Sequence, residues 1–216
     1  MRILFIGDSI TDGGRDRRNY YDLGNGYAAL TAKMLTEELP DKELEFINLG
    51  ISGNRTGELF DRLSADAISF QPDLIVLLIG INDIGRRHKK GHKHIETSDA
   101  QIKENCRSIL MQLRKHTTAK ILMLSPFILD ADLRTLFPLV DECGEPMRSD
   151  VDKIIPTIEE LAGEYADEYI PLKKMFDEAL LTQPEPCYYS EDGIHPNANG
   201  ALFIARPCAD KLKTMI

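Results

Sequence analysis

Ser9, Asp192 and His195 stand near opposite ends of a 216-residue chain, and together they carry the parts of a nucleophilic reaction. Ser9 lies in Gly7-Asp8-Ser9-Ile10-Thr11, directly after an apolar run. Asp192 and His195 lie in Asp192-Gly193-Ile194-His195-Pro196. A serine hydroxyl attacks poorly unless a positioned base takes its proton. An imidazole does this near neutral pH, its ordinary pKa being about 6.5. A carboxylate fixes the imidazole tautomer and stabilises the imidazolium that forms. Asp192 precedes His195 by three residues, close enough for its carboxylate to reach Nδ1, and Pro196 biases His195 toward extended backbone. The leading reading is a serine hydrolase.

Acyl transfer also needs donors for the oxyanion. A backbone N–H at Ser9, where strand gives way to helix or turn, has no intrahelical partner. Gly53, in Gly50-Ile51-Ser52-Gly53-Asn54, lacks a side chain and lets its N–H approach a reacting carbonyl. Asn82, in Gly80-Ile81-Asn82-Asp83, offers a side-chain amide. Three donors aimed at one oxygen make an oxyanion hole. Each piece has a plainer reading by itself. Gly-Asp-Ser after a strand serves equally as a phosphate-binding or ordinary turn, Asn82-Asp83 as a capping pair, and residues 192–195 as a surface turn. Asp8 and Asp83 suit loop-orienting bonds to backbone N–H groups. Asp8, Asn54 and Arg55 are also candidate substrate contacts by position.

These residues need elements to position them. Short apolar runs at residues 3–6, 46–49, 74–79 and 121–124, with a weaker one at 169–171, read as strands. The run 74–79 is apolar throughout, as in a parallel strand covered on both faces. Helical stripes separate the runs: Tyr27, Leu30 and Met34; Ile102, Cys106, Ile109 and Leu113, capped by Thr97 or Ser98; Val151, Ile154, Ile155, Ile158 and Leu161, with Pro156 a kink or a restart; and Leu202, Ala205, Ala209 and Leu212, with Pro207 a kink. Strands alternating with helices predict an α/β sandwich around a parallel sheet, whose ligands sit outside the carboxyl ends of the strands. The Ser9, Gly53 and Asn82 motifs all fall there.

Composition narrows the classes. A chain that is 43% hydrophobic and of this length suits a single domain over residues 1–216. A formal charge of −9 disfavours nucleic acid. No apolar run approaches the roughly 18 residues of a membrane span. Four scattered cysteines without a Cys-x-x-Cys, and no signal-like leader, make the cytoplasm the expected location. The basic run at 86–94 reads as a solvated loop, with an acidic sugar substituent or an acidic neighbouring subunit as its candidate partners. His88, His92 and His94 lack the spaced carboxylate or cysteine of a metal site, and neither metal nor cofactor is called for.

The four blocks in order, from Gly7-Asp8-Ser9-Ile10-Thr11-Asp12-Gly13 to Asp192-Gly193-Ile194-His195-Pro196, resemble the SGNH hydrolases, or GDSL-type esterases. The resemblance runs from the first strand to the last helix. It implies a three-layer α/β/α sandwich with a flavodoxin-like, five-stranded parallel sheet. It also implies Ser9 as nucleophile, His195 as base, Asp192 as its partner, and Ser9 N–H, Gly53 N–H and Asn82 as the oxyanion hole. Residues 7–14, 48–56, 79–84 and 124–127 are most similar to intracellular carbohydrate esterases that deacetylate xylo-oligosaccharides. An acetylated oligosaccharide is then the expected substrate, and a homo-oligomer the expected assembly. The chain has no tryptophan, so Tyr20, Tyr21, Tyr188 and Tyr189 are the candidates for a sugar platform. Residues 128–146 match no motif and read as an acyl-pocket wall or a subunit contact. The alternatives are a lysophospholipase or thioesterase of the same fold, and a non-catalytic flavodoxin-like module binding phosphate or nucleotide at 7–14.

Overall fold

The computed structural model describes residues 1–88, 97–129 and 147–216. Five strands form one sheet: β1 (Arg2–Gly7), β2 (Glu45–Asn48), β3 (Leu74–Leu78), β4 (Lys120–Leu124) and β5 (Glu168–Ile170). Their order is β2-β1-β3-β4-β5, and every pairing is parallel. This is the flavodoxin-like arrangement. All five residues of β3 are buried, as its unbroken apolar run requires.

Among the described residues eight α-helices connect or flank the strands: α1 (Ser9–Asp12), α2 (Tyr27–Glu38), α3 (Thr56–Asp66), α4 (Ile81–Arg87), α5 (Asp99–His116), α6 (Met147–Tyr165), α7 (Leu172–Thr182) and α8 (Ala198–Met215). Helix α2 packs on α8, whereas α5 packs between α3 and α6. These are the two helical layers of the sandwich. No helix among the described residues is long and apolar enough to cross a membrane.

The α5 stripe is buried at all four expected positions, and Ser98 is its cap, accepting the Gln101 N–H at 3.2 Å. The α2 face differs from expectation. Tyr27, Ala28, Thr31, Ala32 and Leu35 are buried, while Leu30 and Met34 lie at the rim. Small side chains let α2 come close to α8, whose facing Ala201 and Ala205 are buried too, so larger residues move outward. Helix α6 continues through Pro156, and α8 through Pro207. Neither proline restarts a helix; Pro156 leaves the Asp152 carbonyl without its usual N–H donor. Ile155 and Leu202 are half-buried.

The basic run needs correction where it is described. Arg86 and Arg87 form the last turn of α4, where cations complement the helix dipole. His88 caps that helix and is buried, its Nε2 3.2 Å from Asp150 Oδ2. Residues 89–94, with His92 and His94, lie outside the described residues. So does most of the 128–146 segment; Ile128 and Leu129 are in the core. Cys106 and Cys208 are buried free thiols, pushed up by burial, Cys187 is exposed, and Cys143 lies outside the described residues.

Candidate active site

The first strand ends on a glycine for a steric reason. A Cβ on Gly7 would sit 2.1 Å from the Leu78 carbonyl oxygen and 2.5 Å from Thr11 Oγ1. The chain then turns into α1 with Asp8 as the cap, its Oδ1 accepting the Ile10 N–H at 3.0 Å. Ser9 is thereby the first residue of α1, at the carboxyl end of β1. Its Oγ lies 2.8 Å from His195 Nε2, across 186 residues of sequence. His195 Nδ1 lies 2.6 Å from Asp192 Oδ2. This arrangement implies the tautomer: Nδ1–H donates to Asp192, leaving the Nε2 lone pair for the serine proton.

The aspartate is held by its own loop. Its Oδ1 accepts the N–H groups of Ile194 at 2.9 Å and His195 at 2.7 Å. Ser190 and Pro196 pair as an antiparallel bridge, and Ser190 Oγ donates to the His195 carbonyl at 2.7 Å. Burial pushes the Asp192 carboxyl up, but the His195 ring and the two backbone N–H groups outweigh it and hold it well below the usual range. The hydrogen bond that His195 Nδ1–H donates to Asp192 raises His195 above its ordinary 6.5, against the effect of burial.

The other motifs follow β2 and β3, the strands on either side of β1. Gly53 has φ of +82°, a left-handed conformation that a side chain would strain. Asn82 lies in the first turn of α4, nearly buried, and its Nδ2 donates to the Asn54 carbonyl at 3.0 Å. An amide nitrogen carries two hydrogens, so one is left for another acceptor. Asp83 accepts from the Thr56 N–H at 2.9 Å and the Thr56 hydroxyl at 2.8 Å, which ties α4 to the start of α3. Burial raises its pKa, opposed by the two Thr56 bonds.

The positions give different answers for the three candidate substrate contacts. Asp8 has no exposed surface, so its expected contact with substrate is corrected: the carboxylate caps α1 and works inside the protein. Burial, opposed by the Ile10 N–H, pushes its pKa to about 7. Asn54 spends its Oδ1 on Arg62 Nε at 2.6 Å and its carbonyl on Asn82. Arg55 is paired with Glu58.

Several residues that hold the site were not visible in the sequence. Arg62 Nη2 donates to the Gly7 carbonyl at 3.0 Å, and Nη1 to the Leu49 carbonyl at 2.8 Å and Asp66 at 2.7 Å. One guanidinium therefore joins the ends of β1 and β2 to the Asn54 loop. Asn48 Nδ2 donates to the Thr11 carbonyl at 2.8 Å, and Asp12 Oδ2 accepts the Ser52 N–H at 3.1 Å. In sequence, Arg62 and Asp66 read as an ordinary i,i+4 surface pair. Nothing local marks Arg62 as a brace.

A cleft of about 290 Å³ opens beside the nucleophile, lined by Ser9, Gly13, Gly14, Asn25, His195 and Pro196. Tyr27 lines it, but the four tyrosines expected to form a sugar platform do not. Tyr20 rests edge-on against Phe70, 5.5 Å between ring centres, and the Tyr21 hydroxyl bonds Glu45 at 3.1 Å. Glu45 begins β2 and Phe70 precedes β3, so both rings lie toward the amino ends of the strands, away from Ser9. Tyr189 is buried against Phe176 and Phe203. Tyr188 keeps an exposed ring near the Asp192 loop.

With this geometry in hand, comparison with known proteins is specific. The sequence model of the GDSL-like lipase/acylhydrolase family matches residues 5–202. An acetylxylan esterase of Geobacillus stearothermophilus is 29% identical over 95% of this chain and 90% of its own length. An acetylxylan esterase of Xylanibacter ruminicola is 28% identical over 99% of this chain, which spans 43% of that longer protein. The crystal structure of Axe2, an acetylxylan esterase from Geobacillus stearothermophilus, superposes with a TM-score of 0.85 at 27% identity, covering 98% of this chain and 93% of its own. Catalytic mutants of Axe2 with a serine, a histidine or an aspartate replaced by alanine have the same likeness. LAE5, an alpha/beta hydrolase from the metagenome of Lake Arreo, matches in fold with a TM-score of 0.86 at 24% identity.

Proposed function

The chain belongs to the GDSL-like lipase/acylhydrolase family, and from that premise we propose that it is a serine esterase removing acetyl groups from carbohydrates such as xylo-oligosaccharides. The observation that carries this reading is the continuous chain from Ser9 Oγ to His195 Nε2 at 2.8 Å and from His195 Nδ1 to Asp192 at 2.6 Å, opening on a cleft. The acetylxylan esterases of similar sequence and fold support the substrate class.

In this mechanism Ser9 Oγ attacks the acetyl carbonyl carbon as His195 Nε2 takes the hydroxyl proton. The carbonyl oxygen becomes an oxyanion and turns to the Ser9 N–H, the Gly53 N–H and the remaining hydrogen of Asn82 Nδ2. The Asp192 carboxylate stabilises the imidazolium through Nδ1–H. His195 then returns the proton to the departing sugar oxygen, the C–O bond breaks, and acetate stays esterified to Ser9. Water, deprotonated by His195, attacks that ester; the Ser9–acyl bond breaks, and acetate leaves as serine regains its proton. No step uses a metal or cofactor. The longer-chain alternative is separated by a p-nitrophenyl ester series, where activity declining beyond butyrate supports the acetylesterase. Fractionation and light scattering test the expectations of a cytoplasmic location and a homo-oligomer, and limited proteolysis that of a single domain.

The direct test is fluorophosphonate labelling read by intact mass, alongside p-nitrophenyl acetate turnover. Wild type is expected to gain one adduct at Ser9. Ser9→Ala is expected to gain none and to lose about 10⁶ in turnover while melting as wild type does. Labelling elsewhere, or substantial turnover by Ser9→Ala, overturns the assignment.

A further inference from the structure

Arg86 stands on α4 one turn after Asn82, so both side chains leave the same face of that helix. Its guanidinium reaches the loop that carries Gly53: Nη2 lies 3.9 Å from where a Cβ on Gly53 would sit. The side chain is half-buried, and its Nε is wholly buried with no acceptor among the described residues. Arg86 differs from its helix neighbour Arg87 in having no ion pair among the described residues. Arg87 donates to the Thr97 carbonyl at 2.8 Å and pairs with Asp99 at 2.7 Å. Arg62 pairs with Asp66, and Arg55 and Arg148 pair with Glu58 and Asp177.

Most acids around the site are already committed, and Asp8 keeps only its buried Oδ2 without a partner among the described residues. Asp83 accepts from Thr56, Glu58 from Arg55, and Asp12 from Arg17 and Ser52. Asp8 is enclosed and caps α1. A buried donor left unpaired costs stability, and native proteins keep such groups where something else satisfies them. In a chain of formal charge −9, an arginine beside the Gly53 loop with no carboxylate partner among the described residues is placed for a ligand's. The planar guanidinium fork fits a carboxylate through two parallel bonds, a match that a sugar hydroxyl does not make.

We propose that Arg86 forms an anion subsite beside the Gly53 and Asn82 donors, taking a carboxylate carried by the ester substrate. The proposal rests on the esterase reading and sharpens its substrate class to esters bearing an acidic group near the scissile carbonyl. That group can sit on either side of the ester, as an acidic acyl chain or as a uronic-acid branch of the sugar.

The experiment compares matched pairs of substrates. On the acyl side the pair is mono-p-nitrophenyl succinate and p-nitrophenyl butyrate. On the sugar side it is an acetylated xylo-oligosaccharide with and without a glucuronic acid branch. For wild type, kcat/KM is expected to favour the anionic member of one pair, and the pair that responds identifies the side. Arg86→Gln is expected to lower that preference at least tenfold, and Arg86→Lys to fall between, because an ammonium keeps the charge without the fork. The preference is expected to weaken as salt is raised. Equal loss on both members of a pair, or no preference in wild type, overturns the proposal. Calorimetry on Ser9→Ala with the same anionic esters reads the subsite without turnover. Absence of fluorophosphonate labelling in wild type would thus break the esterase reading, while calorimetric binding lost in Ser9→Ala/Arg86→Gln would still support the subsite.

Discussion

The two sides of the cleft are built differently. On the base side, Asp192 and His195 are three residues apart, and the bonds that orient them come from residues 190–196. A bond from the Leu129 N–H to the Gly193 carbonyl at 2.9 Å anchors this loop to the chain beyond β4. On the proposed oxyanion side, Ser9, Gly53 and Asn82 come from three separate connections, and side chains from elsewhere tie those connections to one another. Arg62 bridges the Gly7 and Leu49 carbonyls and Asn54, and Asp83 joins α4 to Thr56. Asn48 and Asp12 tie β2 and its loop to α1. The difference follows from the work. A base and its partner need one distance, which a tight loop supplies. An oxyanion hole needs several donors at fixed mutual distances, and only crosslinks between segments keep them so.

The largest expected effect breaks the local side. Asp192→Asn removes the carboxylate that selects the tautomer, and turnover is expected to fall about 10⁴-fold. The pH profile gives an independent readout. Because Asp192 raises His195, and the base must be neutral, wild-type kcat/KM is expected to fall as pH drops through a value above 6.5. In Asp192→Asn that acid limb is expected to move to lower pH. A limb that stays in place would mean another group sets the profile.

A smaller effect is expected from one donor on the other side. Asn82→Ala should lower kcat by about 10² to 10³ with little change in KM, since the donor acts on charge that develops in the transition state. A loss confined to KM would assign Asn82 to ground-state binding. The smallest effect tests the crosslinks. Arg62→Lys keeps the charge, but one ammonium cannot span the Gly7 and Leu49 carbonyls and Asn54 together. A loss of about tenfold in kcat is expected, with unchanged KM and a modest fall in Tm. Unchanged kcat in a folded variant would show that the loops hold their geometry without the brace.

The same contrast explains what was legible in advance. The strands were readable because an all-buried parallel strand is apolar at nearly every position, as 74–78 is. Helix α5 was readable because its stripe and Ser98 cap agree. Helix α4 was hidden by its basic end, since Arg86, Arg87 and His88 look like a solvated run until Asp99 and Asp150 come into place around them. Helix α3 buries few residues, Thr56, Leu59 and Leu63, and so shows a thin stripe. Tyr20 and Tyr21 fell away from the expected platform because exposure can be guessed from type, whereas the end of a strand to which a ring points cannot.

The sequence by itself determined the alternation of strands and helices, the local Asp192–His195 pair, and the location of three polar motifs at strand ends, because periodicity and turn chemistry act over a few residues. Tertiary structure alone decided that Ser9 meets His195 across 186 residues, that Asp8 faces inward, and that Arg62 joins the Gly7 and Leu49 carbonyls to Asn54 while Arg86 has no carboxylate partner among the described residues. Those outcomes depend on which distant acids and carbonyls each cation meets, and on which face each acid is turned toward. Such contacts exist only once the sheet has brought its strand ends to one edge.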